Sequence, residues 1–377
     1  MRVIQGLALC GIGLGVGLGC SDGGSNTSAD SATTGDTSGA EESGTGGGVG
    51  PSETMGGPGP VSSAGTTDTP GGDSSSSDGG DDTSDTGVEP MTPPYEDVRN
   101  YIFGHSLILH SSTANVPRWI DDIAEASGYG YSMSGRYGFA DTHANDLPPV
   151  PQWGIDGVDA AWNDDDGIGF GDVDFNTVLF TEANFRQYFP PTEPEPDLGG
   201  PTSVGSTLTV FDWVENAEPG VRFIVYENWP DMGPYTDADF ETTQPTEAEL
   251  AAYWAYTAGD FHQWWLDYHD ALLAERPELT IHMVPVGPVL AELLTGPLSD
   301  IPPEVLYEDN APHGRESLYF LAGLVTSMAM YAGPPPASYQ PPEEIDVRIR
   351  ERYSEIVETI WAQLLAFEDG SGARRAF

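Results

Sequence analysis

One stretch of the sequence combines residue types that could carry out covalent catalysis. Residues 101–110 read Tyr-Ile-Phe-Gly-His-Ser-Leu-Ile-Leu-His, so an apolar run reaches Gly104 and is followed by Ser106. Glycine permits a tight turn at the end of a strand, and ligands of parallel sheets bind beyond the carboxyl ends of the strands. Ser106 is therefore a candidate nucleophile, although a buried strand followed by a serine helix cap gives the same pattern.

A serine nucleophile requires a base, a group that orients the base, and hydrogen-bond donors for the oxyanion. His313 is the strongest candidate for the base, because it lies in a loop with Glu308 and Asp309 just before an apolar segment. A neighbouring carboxylate of this kind is suited to orienting an imidazole. Three other histidines fall in a predicted helix or strand, where structural roles are favoured: His262, His269 and His282.

The composition excludes several other kinds of chemistry. All 13 lysine and arginine residues are arginines, which excludes lysine Schiff bases, pyridoxal phosphate attachment and a P-loop lysine. The two cysteines are Cys10 and Cys20, so the rest of the chain has no disulfide, thiolate metal site or cysteine nucleophile. The formal net charge of −47 argues against nucleic acid as a partner. Ser, His, Asp and Glu must carry any reaction, and we expect neither a cofactor nor a metal ion.

Residues 1–20 are typical of an export signal. Arg2 gives a positive start, and the apolar, glycine-rich run that follows is too short for a stable transmembrane helix. Residues 17–20, Gly-Leu-Gly-Cys, resemble the bacterial lipobox, although Gly17 stands where leucine is usual. The resemblance implies that Cys20 is lipidated and that this lipid is the contact with the membrane. Because Ser21 follows, it implies a cell-envelope location at the outer membrane; ordinary secretion is the alternative.

The remaining chain divides by composition into a linker and one domain. Residues 21–95 are rich in Gly, Ser, Thr, Asp and Pro and contain no basic residue. Such a segment cannot offset the entropy lost on ordering, so we predict a disordered stalk. Residues 96–377 are numerous enough for a single α/β domain with a well-buried core.

Predicted strands alternate with predicted helices along residues 96–377. Strands are predicted at 98–103, 128–132, 177–180, 222–226 and 281–286, and helices at 116–127, 207–216, 246–275, 289–294, 318–331 and 345–367. Alternation of this kind indicates a three-layer α/β/α sandwich with a mainly parallel sheet, as in flavodoxin-like folds. Polar residues follow the predicted strands, at the edge where ligands bind: Ser106, Asn184, Glu227, Asn228 and Trp229.

Four short segments, in this order along the chain, resemble the blocks of the SGNH (GDSL-type) hydrolases. Gly104-His105-Ser106-Leu107 resembles the first block, with His105 where Asp or Asn is usual. Gly135 falls where the second-block glycine would lie. Glu182-Ala183-Asn184 resembles the third block, with Glu182 in place of its glycine, and residues 309–331 resemble the fifth. In that block an aspartate precedes the catalytic histidine by three residues, whereas here Asn310 holds that place and Asp309 lies one residue further back.

The resemblance implies an esterase or deacetylase that works through a serine ester. Ser106 would be the nucleophile, His313 the base and Asp309 the orienting acid, unless the site works as a Ser–His pair. The amides of Ser106 and Gly135 and the side chain of Asn184 would bind the oxyanion. The residues expected to contact the substrate, a small-molecule or glycan ester, are His105, Glu227, Asn228 and Trp229. Together with Trp153 and Trp162, Trp229 suggests O-acylated carbohydrate, because indole rings can stack on sugars.

Two other functions compete with this interpretation. One is a metal site formed by His105, His110, Asp141 and His143, although no spacing matches a known zinc motif. The other is a surface-tethered, catalytically inactive glycan-binding module that kept an SGNH-like fold. The departures at His105, Glu182 and Asn310 favour this second alternative.

Overall fold

The structure is a computed structural model that describes residues 94–163, 165, 167–194 and 200–377. The predicted signal with Cys20, and the predicted linker up to residue 93, lie outside the described residues. No helix within the described ranges is long and apolar enough to cross a membrane.

The centre of the fold is a parallel sheet of six strands in the order β3-β2-β1-β4-β5-β6. The strands are β1 (Asp97–Gly104), β2 (Gly130–Tyr137), β3 (Asp159–Ala160), β4 (Thr177–Phe180), β5 (Arg222–Tyr226) and β6 (Ile281–Val284). Because all six run in one direction, their carboxyl ends meet at one edge. The loop with Ser106 follows β1 and is flanked there by the loops after β2 and β4.

Helices follow most of the strands. They are α1 (Val116–Ser127), α2 (Ala140–Asn145), α3 (Ser203–Ala217), α4 (Glu247–Tyr256), α5 (His262–Glu275), α6 (Val286–Thr295), α7 (Pro303–Leu306), α8 (Glu316–Met330), α9 (Val347–Glu351) and α10 (Tyr353–Ala366). A 3₁₀ turn spans Phe170–Asp172. Neighbouring parallel strands require a long crossover connection, and helices supply it here.

The core lies on both faces of the sheet. Ile102 of β1 packs with α1, α6, α8 and α10 on what we term the first face. Its neighbours Tyr101 and Phe103 point the other way and pack with α3 and α5 on the second face. Successive residues of a strand point to opposite faces, and β1, β4 and β5 are apolar on both, as expected for a covered parallel sheet. The predicted three-layer sandwich is confirmed.

Several element boundaries differ from the predictions. The helix expected over 246–275 is interrupted by a π-helical turn at Thr257–Phe261, where Gly259 leaves helical geometry with φ −109° and ψ −110°. The helix expected over 345–367 is divided into α9 and α10. Strand β2 runs from Gly130 to Tyr137 and so includes Gly135, whereas the predicted strand ended at residue 132. A Cβ at Gly135 would lie 2.7 Å from the Ile102 carbonyl oxygen and 2.9 Å from the Trp153 ring, so glycine marks a close approach there.

The contact between α1 and α8 supports the edge that carries Ser106. Helix α1 follows the Ser106 loop, and α8 begins three residues after His313. The helices meet at Gly323, where an added Cβ would lie 2.5 Å from the Trp119 Cβ and 3.2 Å from the Val116 carbonyl oxygen. A change in the spacing of these helices would therefore shift both chain segments.

We predict that Gly323→Ala lowers the free energy of unfolding by about 1–3 kcal/mol, because overpacking a tight contact outweighs the gain in helix propensity. Urea denaturation followed by circular dichroism would measure the change. The matched control is Gly154→Ala, where a Cβ meets nothing within 4 Å. Equal stability of the two variants would contradict the prediction.

Candidate active site

Ser106, His313 and Asp309 form one chain of hydrogen bonds. The Ser106 Oγ lies 2.9 Å from His313 Nε2, and His313 Nδ1 lies 2.7 Å from Asp309 Oδ2. A neutral imidazole has one donor and one acceptor. With Nδ1–H donated to the carboxylate, Nε2 is free to accept the proton of the serine hydroxyl. The three side chains thus have the connectivity of a nucleophile, a base and an orienting acid.

Ser106 is held by the turn that leaves β1. The carbonyl of His105 accepts hydrogen bonds from the amides of Ile108 and Leu109, which closes the turn around Ser106. Tyr319 of α8 donates its hydroxyl to the Ser106 carbonyl oxygen at 2.5 Å. Among the described residues, the Ser106 amide has no hydrogen-bond acceptor. Sequence reasoning missed Tyr319, because nothing in the primary structure links α8 to residue 106.

The loop that carries His313 is closed at both ends. Tyr307 and Gly314 form an antiparallel bridge across it. Within the loop, Asp309 Oδ1 accepts the amides of Ala311 and His313, each at 3.0 Å. Trp229 Nε1 donates to the Pro312 carbonyl at 3.0 Å. Asp309 therefore fixes the backbone of the loop with one oxygen and the His313 ring with the other.

This geometry explains how the site accommodates Asn310 at the position three residues before His313. Asp309 reaches the ring from four residues back, while Asn310 points elsewhere, its Nδ2 3.5 Å from the Thr236 carbonyl. Partial burial acts to raise the pKa of Asp309, but the hydrogen bonds from the side chain and amide of His313 outweigh it and lower that pKa. The carboxylate is therefore charged at neutral pH.

A second histidine–carboxylate pair lies against the first. The His110 ring stacks on the His313 ring with centroids 4.2 Å apart and planes 13° from parallel. His110 Nε2 lies 2.8 Å from Glu308 Oε2. Because Glu308 and Asp309 are adjacent, one loop supplies the acid of each pair. His110 covers one face of His313 and limits the rotation of its ring.

The candidate oxyanion donors lie at different depths. Asn184 follows β4 and is nearly buried, and its Nδ2 has no hydrogen-bond partner among the described residues. Gly135 lies inside β2 opposite Ile102, two residues before the strand ends, whereas Ser106 lies beyond the end of β1. The position of Gly135 thus does not support the prediction that its amide binds the oxyanion. The glycine at the edge after β2 is Gly138, and its amide already donates to the Gly104 carbonyl at 2.8 Å.

The two unusual residues of the resemblance tie the loops together. His105 is 1% exposed; its Nδ1 accepts the Leu107 amide and its Nε2 donates to the Glu182 carbonyl oxygen at 3.1 Å. Burial lowers the pKa of His105 to about 4, so the ring is neutral. The buried Glu182 carboxylate accepts from the Ala140 amide and from Arg186. Both residues therefore have structural partners and connect the ends of β1, β2 and β4.

The residues predicted to bind substrate require a correction. They have at most 1% of their surface exposed, so they face the protein and cannot meet a substrate in this structure: His105, Glu227, Asn228 and Trp229. The Trp229 ring is packed in the core beside Tyr319. Loop position alone had suggested exposure. The Trp229 indole donates a hydrogen bond to the Pro312 carbonyl and so supports the His313 loop.

The four residues of the alternative metal site do not form a cluster that could hold a metal ion. Asp141 pairs with Arg186 at 3.1 Å, and the His143 ring packs edge-on against Phe103. His105 and His110 have the partners given above. The described residues contain no cluster of three or more His, Cys, Asp or Glu that could hold a metal ion.

A polar cavity of about 420 Å³ adjoins the His313 loop. Its lining includes Ser111, Glu308, Gly314, Arg315 and Glu344. The cavity therefore lies beside the second histidine–carboxylate pair.

Comparisons with known proteins give only distant similarities. No family model matches the chain, and no curated protein matches it. It is similar to the crystal structure of a DUF4886 family protein from Bacteroides uniformis, with 10% identity, 71% of this chain and 95% of that chain covered, and a TM-score of 0.43. It is also similar to an acetyl xylan esterase from the rumen bacterium Butyrivibrio proteoclasticus, with 10% identity, 51% and 56% covered, and a TM-score of 0.24. At these values neither similarity assigns a function, and the chemistry must be argued from the chain's own residues.

We predict that His110→Ala slows the reaction of Ser106 with a fluorophosphonate by roughly tenfold, because the His313 ring gains freedom to leave its productive orientation. His110→Phe keeps a flat ring against His313 and should retain most of the wild-type rate. Labelling of the purified variants, quenched at successive times, would measure the rates. If His110→Ala reacted as fast as wild type, the stacked ring would have no positioning effect.

The buried pair of Glu227 and His262 predicts a pH-dependent stability. Glu227 oxygens lie 2.9 and 3.0 Å from His262 Nδ1. Burial raises the pKa of Glu227 to about 7, and although burial alone would lower the pKa of His262, Glu227 raises it. The pair thus holds protons in the folded state at pH values where the unfolded chain has released them. Their contribution to stability is present at low pH and is lost as the pH rises.

We therefore expect the free energy of unfolding of the wild type to fall relative to that of Glu227→Gln as the pH rises from about 5 to 8. The variant removes both shifts, because a glutamine amide does not titrate and His262 would lose its charged partner. Urea denaturation at several pH values measures the difference. Parallel stability curves would contradict the assignment.

Proposed function

We propose that this protein is a serine hydrolase of the esterase or deacetylase type. The single observation that carries the proposal is the hydrogen-bond chain from Ser106 through His313 to Asp309, with distances of 2.9 and 2.7 Å. These three residues come from two loops that are about 200 positions apart in sequence, and they converge at the edge of the sheet where ligands bind.

In the first half of the reaction, His313 Nε2 takes the hydroxyl proton as Ser106 Oγ attacks the ester carbonyl carbon. The charged Asp309 stabilises the imidazolium that forms. The carbonyl oxygen becomes an oxyanion, for which the Ser106 amide and Asn184 Nδ2 are the available donors. One such donor is worth about 3 kcal/mol in the transition state. The intermediate then expels the alcohol, which takes the proton back from His313, and leaves an acyl ester on Ser106.

In the second half, a water molecule gives one proton to His313 and attacks the acyl ester. The new oxyanion uses the same donors. Its collapse breaks the bond to Ser106 Oγ, which regains a proton from His313, and the carboxylic acid leaves. The cycle requires no cofactor, because every proton and electron pair is accounted for by substrate, water and these side chains.

The resemblance to the SGNH hydrolases supports the same roles for Ser106, His313, Asp309 and Asn184. The departures from that family have structural partners in this chain, since His105 and Glu182 bind neighbouring loops and Asp309 reaches the ring that Asn310 does not. Trp229 and Trp162 do not support the glycan-binding alternative, because both are buried. The same burial removes their support for a carbohydrate ester as the substrate.

We further propose that the protein is anchored in the cell envelope, at the outer membrane, by a lipid on Cys20. The support is the sequence alone, namely the short apolar start and the Gly-Leu-Gly-Cys segment at residues 17–20. The acidic stalk predicted after it would hold the domain away from the membrane.

A fluorophosphonate probe tests the proposed nucleophile. We expect covalent labelling of the wild type and none of Ser106→Ala, because the probe requires an activated serine. Labelling of Asp309→Asn should be slower by a factor of roughly 10² or more, since the His313 ring loses its charged partner. Intact-mass analysis and peptide mapping would locate the adduct.

The neighbouring residue supplies a matched control. Asn310→Ala should label at nearly the wild-type rate, because its side chain has only a long contact to the Thr236 carbonyl. Circular dichroism would establish that each variant is folded. A folded wild type that neither labels nor hydrolyses any ester would contradict the proposed function and favour a binding protein.

A further inference from the structure

Exposed aromatic side chains are concentrated at the same edge of the sheet as Ser106. We define the aromatic strip as Tyr137, Phe139 and Phe185; Tyr137 ends β2, and the other two lie in the segments that follow β2 and β4. Tyr137 is 46% exposed and Phe185 is 42% exposed. The Phe139 ring lies 6.1 Å from Tyr137 and 5.4 Å from Phe185, both edge-on. The three rings are neighbours and form an apolar patch, and an apolar patch at a protein surface is a candidate binding site.

The strip adjoins the candidate active site. The Phe139 ring lies 5.4 Å from the ring of His105, the residue before Ser106. Tyr137 is paired with Gly104 in the parallel register, and Phe185 directly follows Asn184. The strip is also held in place, because the Tyr137 amide donates to Gln152 Oε1 at 2.9 Å. An ester bound at Ser106 therefore has this apolar surface within reach.

The strip and His313 approach Ser106 from opposite sides of the sheet. Ala140, which follows Phe139, packs in the core of the second face. Tyr307 and Leu318, which flank the His313 loop, pack in the core of the first face. In the proposed reaction the leaving oxygen must lie near His313 Nε2, from which it takes its proton. The alcohol portion of the ester then lies towards the first face, and the acyl portion points to the second.

We propose that the aromatic strip binds the acyl group, and that the preferred substrates are esters whose acyl chain is apolar and longer than acetyl. The proposal rests on the proposed function. The acyl-site proposal adds a substrate class to that function. The side away from the strip is polar, since the cavity beside the His313 loop is lined by Glu308, Arg315 and Glu344. The acyl side is thus apolar, and the alcohol side suits a polar group. The strongly acidic chain, with a net charge of −47, disfavours an anionic acyl group.

The test is a series of p-nitrophenyl esters from acetate to octanoate, which share one leaving group and differ only in acyl length. The unlipidated chain, Cys20→Ser, is the protein used throughout. We expect kcat/KM to rise with chain length, by up to about fourfold for each methylene buried against the strip. Phe185→Ala and Phe139→Ala should reduce the ratio of octanoate to acetate activity by roughly tenfold or more. This ratio is internal to each variant, so partial loss of folded protein does not affect it.

The matched control is Tyr188→Ala, because Tyr188 is an exposed aromatic residue of the same loop that stacks on Tyr256 instead. Its octanoate-to-acetate ratio should equal that of the wild type. Two results would overturn the acyl-site proposal and leave the proposed hydrolase intact. One is a wild type that labels with fluorophosphonate but prefers acetate. The other is an octanoate-to-acetate ratio in Phe185→Ala equal to that of the wild type. A folded wild type that neither labels nor hydrolyses any ester would overturn both the acyl-site proposal and the proposed function.

A neutral lipid surface is the other occupant that an exposed aromatic strip could meet. Sedimentation of the Cys20→Ser chain with phosphatidylcholine vesicles distinguishes it. Binding that Phe185→Ala abolishes, together with an unchanged acyl preference, would mean that the strip faces a membrane and would overturn the proposal.

Discussion

The candidate site depends on the two hydrogen bonds of the His313 ring. An imidazole that donates from Nδ1 to a carboxylate can only accept at Nε2, so Asp309 decides which proton His313 is able to take. The carboxylate is effective because it is both charged and fixed. Its second oxygen binds the amides of the loop that carries His313, so any movement of the acid moves the base with it.

The surrounding fold holds the two halves of this contact at a constant distance. On the first face, Trp229 supports the His313 loop through the Pro312 carbonyl, and Tyr319 of α8 binds the Ser106 carbonyl. Helix α8 is itself set against α1 by the absence of a side chain at Gly323. Large aromatic residues with a polar tip are suited to this task, because they fill the core and still reach a backbone oxygen. The buried aromatic residues near the site thus position the loops.

Departures from a familiar motif acquire a physical explanation in this arrangement. A histidine in place of Asp or Asn at residue 105 remains neutral because burial disfavours its charged form, and its two nitrogens are satisfied by backbone groups. Glu182 in place of glycine is buried but is bound by Arg186 and a backbone amide. A buried polar group is costly only when it has no partner. Both residues therefore stabilise the loops around the candidate site.

The sequence by itself determined the layered α/β fold. It named Ser106 and His313 as candidates and left open whether Asp309 joins them. Apolar runs, helical periodicity and polar residues at the strand ends are local signals, and β4, β5 and α1 follow them residue for residue. Burial and distance were decided only by the tertiary structure, because they depend on residues far apart in the chain. Trp229 lies in a loop yet is covered by α8, and Gly135 lies in a strand where Ile102 and Trp153 leave no room for a side chain. His110 and the aromatic strip gained their significance in the same way. Nothing in the primary sequence shows that one ring stacks on His313, or that three others are neighbours at the sheet edge that carries Ser106.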